Sequence, residues 1–413
     1  MEDFIRDVCS SVKVASFDLA GYSTEQKNKI LDSIAQALID NAQLILDANS
    51  KDLEASASKP AHYLDRMRLT QDRILGIAKG VREIIDLPDP IGEVLDEYIN
   101  KDGLKITKVR VPLGVVGIIY EARPNVTVDI AALCIKSGNA IILRGSRDTV
   151  HSNTTLVKIM QDAIAKAGGN PNIIGYADCT HEQAIDLMKA NEYIDVLVPR
   201  GSDKLIKSVI QNSTIPVIET GTGNCHVYVH SSADLDMAVN ITVNAKVSRP
   251  SVCNAAESLL IDEAVYKEYL PKICEGLAKY NVKIKGCPKT CEVYPQAEPA
   301  TEEDYYTEFL DYIISVKVVK DYNEAIAHIN HYGTKHSEAI VTQDQAVAQE
   351  FTKRVDSAAV YVNASTRFTD GGVFGFGAEL GISTQKLHAR GPLGLRELTS
   401  YKYIVLGNGQ VRK

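Results

Sequence analysis

Apolar and polar positions change period near residue 95 of this 413-residue chain, and the two periods predict different elements. In "STEQKNKILDSIAQALIDNAQLILDANSKDLEAS" the residues Ile30, Ile34 and Leu38 form one stripe, the signature of a long helix packed by one face. Ser23, with Gln26 three residues on, supplies a capping-box start. A second helical period in "DRILGIAKGVREIIDL" stops at "PDP", where two prolines forbid continuation. Beyond it "NKDGLK" is a turn between β-rich runs and predicts a hairpin. Short apolar strands then alternate with amphipathic helices: "VVGIIYEA" and "DIAALCIKSG", "AIILRGS" and "LVKIMQDAIAKAG", "IDVLVPRGS" and "DKLIKSVIQ". That alternation predicts βαβ units on a largely parallel sheet. A second alternating region runs from "NCHVYVHSSADLDMAV" to "AAVYVNAS" and predicts a second α/β domain. Glycines crowd into "TDGGVFGFGAELGI", which reads as an ordered loop, and "YKYIVLGNGQVRK" adds a final strand.

Composition narrows the class. No apolar run approaches the eighteen or more residues of a membrane span, and the N-terminus lacks the plan of a signal peptide. A cytoplasmic protein is expected. Basic residues number 45 against 53 acidic ones and are scattered, which disfavours nucleic acid as a partner. Eight cysteines at irregular spacing imply reduced thiols. Cys287 and Cys291 are the only close pair and have no further ligand at zinc-finger spacing, so no metal is expected.

The chain has neither a G-x-G-x-x-G fingerprint nor a P-loop, and "TGTGNC" at 220–225 is only a partial match. What recurs is a strand, a Gly-Ser turn and a helix, in "IILRGSRD" and "VLVPRGSDK". Such turns either bind phosphate at a helix start or simply cap the helix. Cys253 in "VSRPSVCNAAE" is open to two readings as well. A free cysteine is usually core filler, yet Arg249 lies four residues upstream and a new element starts just after, the setting of a lowered thiol pKa.

Four stretches together carry a resemblance: "YEARPNVTVDIAALCIKSGNAIILRGS", "VPRGSDKLIKSVIQNSTIPVIETGTGNCHVYV", "VSRPSVCNAAESLL" and "EAIAHINHYGTKHSEAIVT". The chain resembles, over essentially its whole length, the γ-glutamyl phosphate reductase family (glutamate-5-semialdehyde dehydrogenases) of the aldehyde dehydrogenase superfamily. The resemblance implies an aldehyde dehydrogenase-like fold with two α/β domains and a small β element for oligomerisation. Residues 1–93 and 113–221 would bind NADP, 222–380 would carry the catalytic cysteine, and 94–112 with 396–413 would form the oligomerisation hairpin and C-terminal strand.

The implied reaction is NADPH-dependent reduction of L-glutamyl 5-phosphate to L-glutamate 5-semialdehyde in proline biosynthesis, with release of phosphate through a cysteine thioester. Its alternative is an aldehyde dehydrogenase that uses water or coenzyme A as acyl acceptor. By position Cys253 matches the nucleophile, and Asn125 the side-chain amide that, with the Cys253 N–H, holds the oxyanion. Glu219 matches the glutamate that activates water in hydrolysing members. A phosphate-dependent enzyme has no use for that base, so Glu219 is expected near the site without the role. Arg144, Gly145, Ser146 and Arg147 match the adenine-ribose segment, and two arginines there suit the 2′-phosphate of NADP. Gly201 and Ser202 match the pyrophosphate turn, and Glu308 a holder of the nicotinamide ribose. Arg123 and Arg249, the arginines closest in sequence to Asn125 and Cys253, are candidate binders of the substrate's anionic groups. His328, His331 and His336 read as a helix end and loop near the catalytic cleft, not as a metal site. A homodimer or homotetramer is implied, with a separate glutamate 5-kinase as upstream partner.

Overall fold

The structure, a computed structural model, describes residues 3–412, the side chain of His62 excepted. It divides into two compact units. The first holds the residues to Glu219, Gly375–Gly381 and those from Leu393 on; the second holds Thr220–Phe374 and Ile382–Pro392. The glycine-rich stretch therefore crosses from one unit to the other, and Gly375 and Gly377 take the left-handed φ values of 81° and 79° that glycine permits.

In the first unit Ser23 caps the helix Thr24–Asp40 reciprocally. Its hydroxyl accepts from the Gln26 N–H at 3.3 Å, and its own N–H donates to Gln26 Oε1 at 2.8 Å. Ile30, Ile34 and Leu38 are buried, as the stripe predicts. The single long helix expected from Ser23 onward is instead broken at Asn41 into Thr24–Asp40 and Ala42–Ala55. Asn41 donates its amide to the Ala37 carbonyl at 2.8 Å, the side-chain competition that makes asparagine a helix breaker.

The strands Ile174–Tyr176, Ala140–Arg144, Val115–Tyr120 and Val196–Arg200 pair in that spatial order, all parallel. The central strand is buried along its whole length, as a parallel strand covered on both faces should be. Ile174–Tyr176 was not foreseen, because three residues are too few to show a period.

The hairpin forms as expected from Val94–Ile99 and Lys105–Pro112, and the C-terminal strand Thr399–Leu406 pairs antiparallel with its second arm. Asn139 anchors this three-stranded sheet. Its carbonyl accepts from the Gly114 N–H at 2.9 Å, and its amide donates to the Leu398 carbonyl at 2.8 Å.

The second unit is built on a seven-stranded parallel sheet. Its spatial order is Glu298–Pro299, Lys283–Gly286, Ile313–Val319, Ala256–Asp262, Cys225–Val229, Ser337–Val341 and Ala359–Val362. One face packs Leu259, Ile261, Leu270 and Ile273 into a core, and the other packs Tyr228, Leu260 and Phe351.

Asn139→Ala would leave the Gly114 N–H and the Leu398 carbonyl without their partner. The expected cost is about 1–3 kcal/mol for each orphaned group, measured as a lower urea midpoint with unchanged m-value.

Candidate active site

Cys253 lies in the loop between the helix Leu235–Val247 and the strand Ala256–Asp262. The helix cannot continue because Pro250 lacks an N–H and disfavours helical geometry at Arg249. Of the eight cysteines, all free, only Cys253, Cys287 and Cys291 are partly exposed.

A buried ion pair fastens both ends of the loop. Lys246, in the last turn of the helix, meets Glu257, second residue of the strand, at 2.5 Å, and both side chains are fully buried. Burial pushes the Glu257 carboxyl up and the Lys246 ammonium down, and each partner's charge opposes the other's shift. The second Glu257 oxygen accepts from the Leu310 N–H at 3.1 Å, which ties in the loop that carries Glu308.

"TGTGNC" supports the Cys253 backbone. A Cβ placed on Gly223 would lie 1.5 Å from the Cys253 carbonyl oxygen and 2.7 Å from its Cα, so only glycine fits. The Gly223 N–H donates to Glu308 Oε1 at 2.7 Å, and the Cys225 thiol donates to the Cys253 carbonyl at 3.2 Å. Arg249 is exposed beside this segment.

Of the three histidines, His328 and His331 both pack against Tyr332 and His336 lies apart. His331 bonds the Tyr306 hydroxyl at 2.7 Å, His328 packs edge-on against Tyr305, and His336 lies buried 3.7 Å from the Cys225 sulfur. Burial lowers the pKa of His336 to about 4, so it is neutral. Cys287 and Cys291 pack against the core of the second unit, where the Cys287 sulfur accepts the Val318 N–H. Among the described residues no group of three or more His, Cys, Asp or Glu side chains is placed to hold a metal.

In the first unit the chain leaves Val115–Tyr120 outward through two strands and returns on the other side as Val196–Arg200. This reversal is a topological switch point, where open α/β sheets bind ligands at the strands' carboxyl ends. Arg123 and Asn125, Arg144 to Arg147, and Gly201 with Ser202 all sit at or just beyond the ends of these adjacent strands. Gly201 is closed in by the Glu121 side chain, and the Ser202 hydroxyl donates to Glu121 Oε1 at 2.5 Å instead of capping its helix, Asp203–Asn212. That helix start therefore has no side-chain cap. Ser146 does cap the next turn, accepting from the Asp148 N–H at 3.2 Å.

The two arginines of that turn differ. Arg147 is exposed, whereas Arg144 is 3% exposed and donates to the Cys179 carbonyl at 3.3 Å, behind the turn. Asp148 receives the Tyr63 hydroxyl at 2.6 Å and lies 3.6 Å from Lys59, a cation that the sequence reading did not connect with this turn. Arg123 is exposed just before the helix Pro124–Lys136. Asn125 donates one amide hydrogen to Asp129 at 3.0 Å, one helical turn on. Burial pushes the Asp129 carboxyl up to about 6, against the lowering effect of that bond. Glu219 is the half-buried last residue of the first unit before Thr220.

A sequence model of the aldehyde dehydrogenase family matches residues 3–307. The chain belongs to that family, whose members are nicotinamide-dependent oxidoreductases. It is 56% identical to the γ-glutamyl phosphate reductase of Carboxydothermus hydrogenoformans, covering 99% of this chain and 100% of the relative. The enzyme of that name from Enterococcus faecalis is 53% identical, with 99% of each chain covered. A solved γ-glutamyl phosphate reductase from Thermotoga maritima superposes with a TM-score of 0.98 at 47% identity, over 100% of both chains. Within the family the chain thus stands among the γ-glutamyl phosphate reductases. An acetylating aldehyde dehydrogenase from Geobacillus thermoglucosidasius shares the fold, with a TM-score of 0.69 at 18% identity.

Sequence reasoning did not find Gly223 or the Lys246–Glu257 pair as parts of the site. The glycines of "TGTG" were a signal, but were not read as a close approach to the Cys253 backbone. The ion pair had none, because its members join a helix to a strand.

Gly223→Ala should cost about a hundredfold in kcat, since a displacement of about 1 Å at a reacting group has that effect. Gly80→Ala, in a helix where a Cβ meets nothing within 4 Å, is the matched control and should leave the rate unchanged. Asp129 gives a pH signature. Its folded pKa lies above an unfolded value near 4, so its stabilising contribution is complete below about pH 4 and is lost as pH rises through about 6. Relative to Asp129→Asn, which does not ionise, wild type should lose about 2 kcal/mol between pH 4 and 7 in urea titrations. That figure is discounted for partial solvent screening. A difference that grows toward acid would contradict this assignment.

Proposed function

We propose that the chain reduces L-glutamyl 5-phosphate to L-glutamate 5-semialdehyde with NADPH in proline biosynthesis, releasing phosphate through a thioester on Cys253. The observation that carries this reading is a partly exposed cysteine, backed by a glycine no other residue could replace, in a chain 56% identical to a γ-glutamyl phosphate reductase. The Cys253 sulfur attacks the acyl carbon, the carbon–oxygen bond to phosphate breaks, and phosphate leaves with the electron pair. The Cys253 N–H and the Asn125 amide are the oxyanion donors in this reading. Asp129 takes one Asn125 N–H and leaves the second for that role.

The first unit suits a dinucleotide. The Asp203–Asn212 helix start lacks a side-chain cap at the switch point, so its N–H groups and Gly201 would hold a pyrophosphate. Exposed Arg147, with Lys59 neutralising Asp148, supports NADP over NAD, because a 2′-phosphate calls for cations. Arg144 supports the turn from behind. Glu308 would hold the nicotinamide ribose from the loop it shares with Leu310. When bound, the nicotinamide supplies the hydride that reduces the acyl group. Arg123 and Arg249 take the substrate's anionic ends. Glu219 is not a water base here, since hydrolysis of the thioester would waste the acyl group as free glutamate.

The three-stranded sheet exposes Tyr98, Ile99, Tyr403, Ile404 and Leu406, which supports a homo-oligomer built by a second copy of this chain. Eight free thiols support a cytoplasmic enzyme. A kinase that forms the acyl phosphate, a glutamate 5-kinase, supplies the substrate.

The test is the reverse reaction: NADP reduction with glutamate 5-semialdehyde, with and without inorganic phosphate, for wild type and Cys253→Ala. Sustained turnover should require phosphate and vanish in the variant. Sustained turnover without phosphate would mean a hydrolytic enzyme and would return the water-activating role to Glu219.

A further inference from the structure

A second arginine faces the nucleophile loop from a distant part of the chain. Arg367 lies in the short turn Thr366–Phe368, beyond the edge strand Ala359–Val362. Hydrogen bonds clamp that turn to the loop on either side of Cys253. Arg367 Nε donates to the Ser248 hydroxyl at 2.9 Å, the Asn254 amide donates to the Thr369 carbonyl at 2.8 Å, and the Thr366 hydroxyl donates to the Asn254 carbonyl at 2.7 Å. Ser248 immediately precedes Arg249, and Asn254 immediately follows Cys253. Arg367 is therefore pinned beside the segment that carries both.

The charges here are not balanced. Among the described residues neither Arg249 nor Arg367 has a carboxylate within ion-pair distance, whereas Lys246, Lys285 and Arg390 in the same unit each do. Burial, and next the charge of Arg249, lower the pKa of Arg367, while Asp370 and Cys253 act in the opposite sense. Two like charges near one another repel, the Asp370 carboxylate offsets only part of that repulsion, and an anion placed between the guanidiniums turns the remainder into binding. Two planar forks match a phosphoryl group in particular, with several N–H donors for its three terminal oxygens.

We infer that Arg249 and Arg367 together form the phosphate subsite, which holds the phosphoryl group of the acyl phosphate and, in the reverse direction, inorganic phosphate. The inference rests on the proposed function. As the Cys253 sulfur bonds to the acyl carbon, the carbon–oxygen bond breaks and its electron pair goes to the departing phosphate, whose growing charge the two guanidiniums neutralise. In reverse, a phosphate oxygen bonds to the thioester carbonyl carbon, the carbon–sulfur bond breaks, and the thiolate is released. Acylation from the aldehyde does not involve phosphate, so the two half-reactions separate the subsite from the rest of the machinery.

The experiment varies inorganic phosphate in the reverse reaction for wild type, Arg367→Gln, Arg367→Lys and Arg249→Gln, each checked for a native melting transition. Arg367→Gln should raise the KM for phosphate by about tenfold or more, the usual worth of a charge-assisted hydrogen bond to an anion. Its KM for the semialdehyde should stay within about twofold, and its single burst of NADPH without phosphate should persist, one per enzyme. Arg367→Lys, which keeps the charge and loses the fork, should fall between wild type and Arg367→Gln, and Arg249→Gln should behave like Arg367→Gln. An unchanged phosphate KM in folded Arg367→Gln would overturn the inference. A rise in the semialdehyde KM instead, or loss of the burst, would place Arg367 on the amino-acid end or in acylation and would overturn it as well. Wild-type turnover indifferent to phosphate would bring down the proposed function first and the subsite with it.

Discussion

The buried Lys246–Glu257 ion pair sets the terms for the second unit. It closes the loop of Cys253 at its base, from the last turn of a helix to the start of a strand, and extends to the Glu308 loop through the Leu310 N–H. A pair withdrawn from water adds little net stability, because desolvation offsets most of the attraction. Breaking it is another matter, since a lone buried charge costs about 3–5 kcal/mol. The pair therefore acts mainly as a constraint on geometry. The loop ends cannot separate without leaving an unpaired charge, and the Cys253 backbone inherits that rigidity.

Around this clamp the site is assembled from short-range exclusions. Gly223 brings one strand entry into contact with the Cys253 carbonyl, and the Cys225 thiol donates to that same oxygen. On the other side, the turn carrying Arg367 is fastened to Ser248 and Asn254. In the proposed reaction, a thiol that attacks a phosphorylated acyl group benefits twice from such packing. Its position is fixed before substrate arrives, and the nearby positive charge is fixed with it.

The first unit solves a separate problem with the same economy of parts. Parallel strands flanking a reversal of strand order bring three loop segments to one edge without any glycine-rich fingerprint. That is why the absence of G-x-G-x-x-G carried little weight. The N–H groups of a helix start can meet a pyrophosphate wherever the topology leaves that start uncapped, and here the Ser202 hydroxyl is diverted to Glu121.

Much of this was legible in the sequence. The Ser23 capping box, the turn at "NKDGLK" and the strand–helix alternation all rest on neighbours within a few residues, so local spacing was enough to determine them. The order of four motifs was enough to determine the family and to mark Cys253, Asn125 and the Gly-Ser turns as candidates. Other features depended on contacts between residues remote in the chain. Arg144 and Arg147 look equivalent in "LRGSRD", yet strand pairing buries one and leaves the other exposed. Arg367 lies 114 residues beyond Cys253 in a stretch with no motif, and only the return of the chain past the edge strand brings it to the loop. The sequence by itself determined which elements form and which chemistry they can carry, because propensity and period are local properties. The tertiary structure alone decided which charges are paired and which remain for a ligand, because burial and charge balance depend on neighbours that the linear order does not reveal.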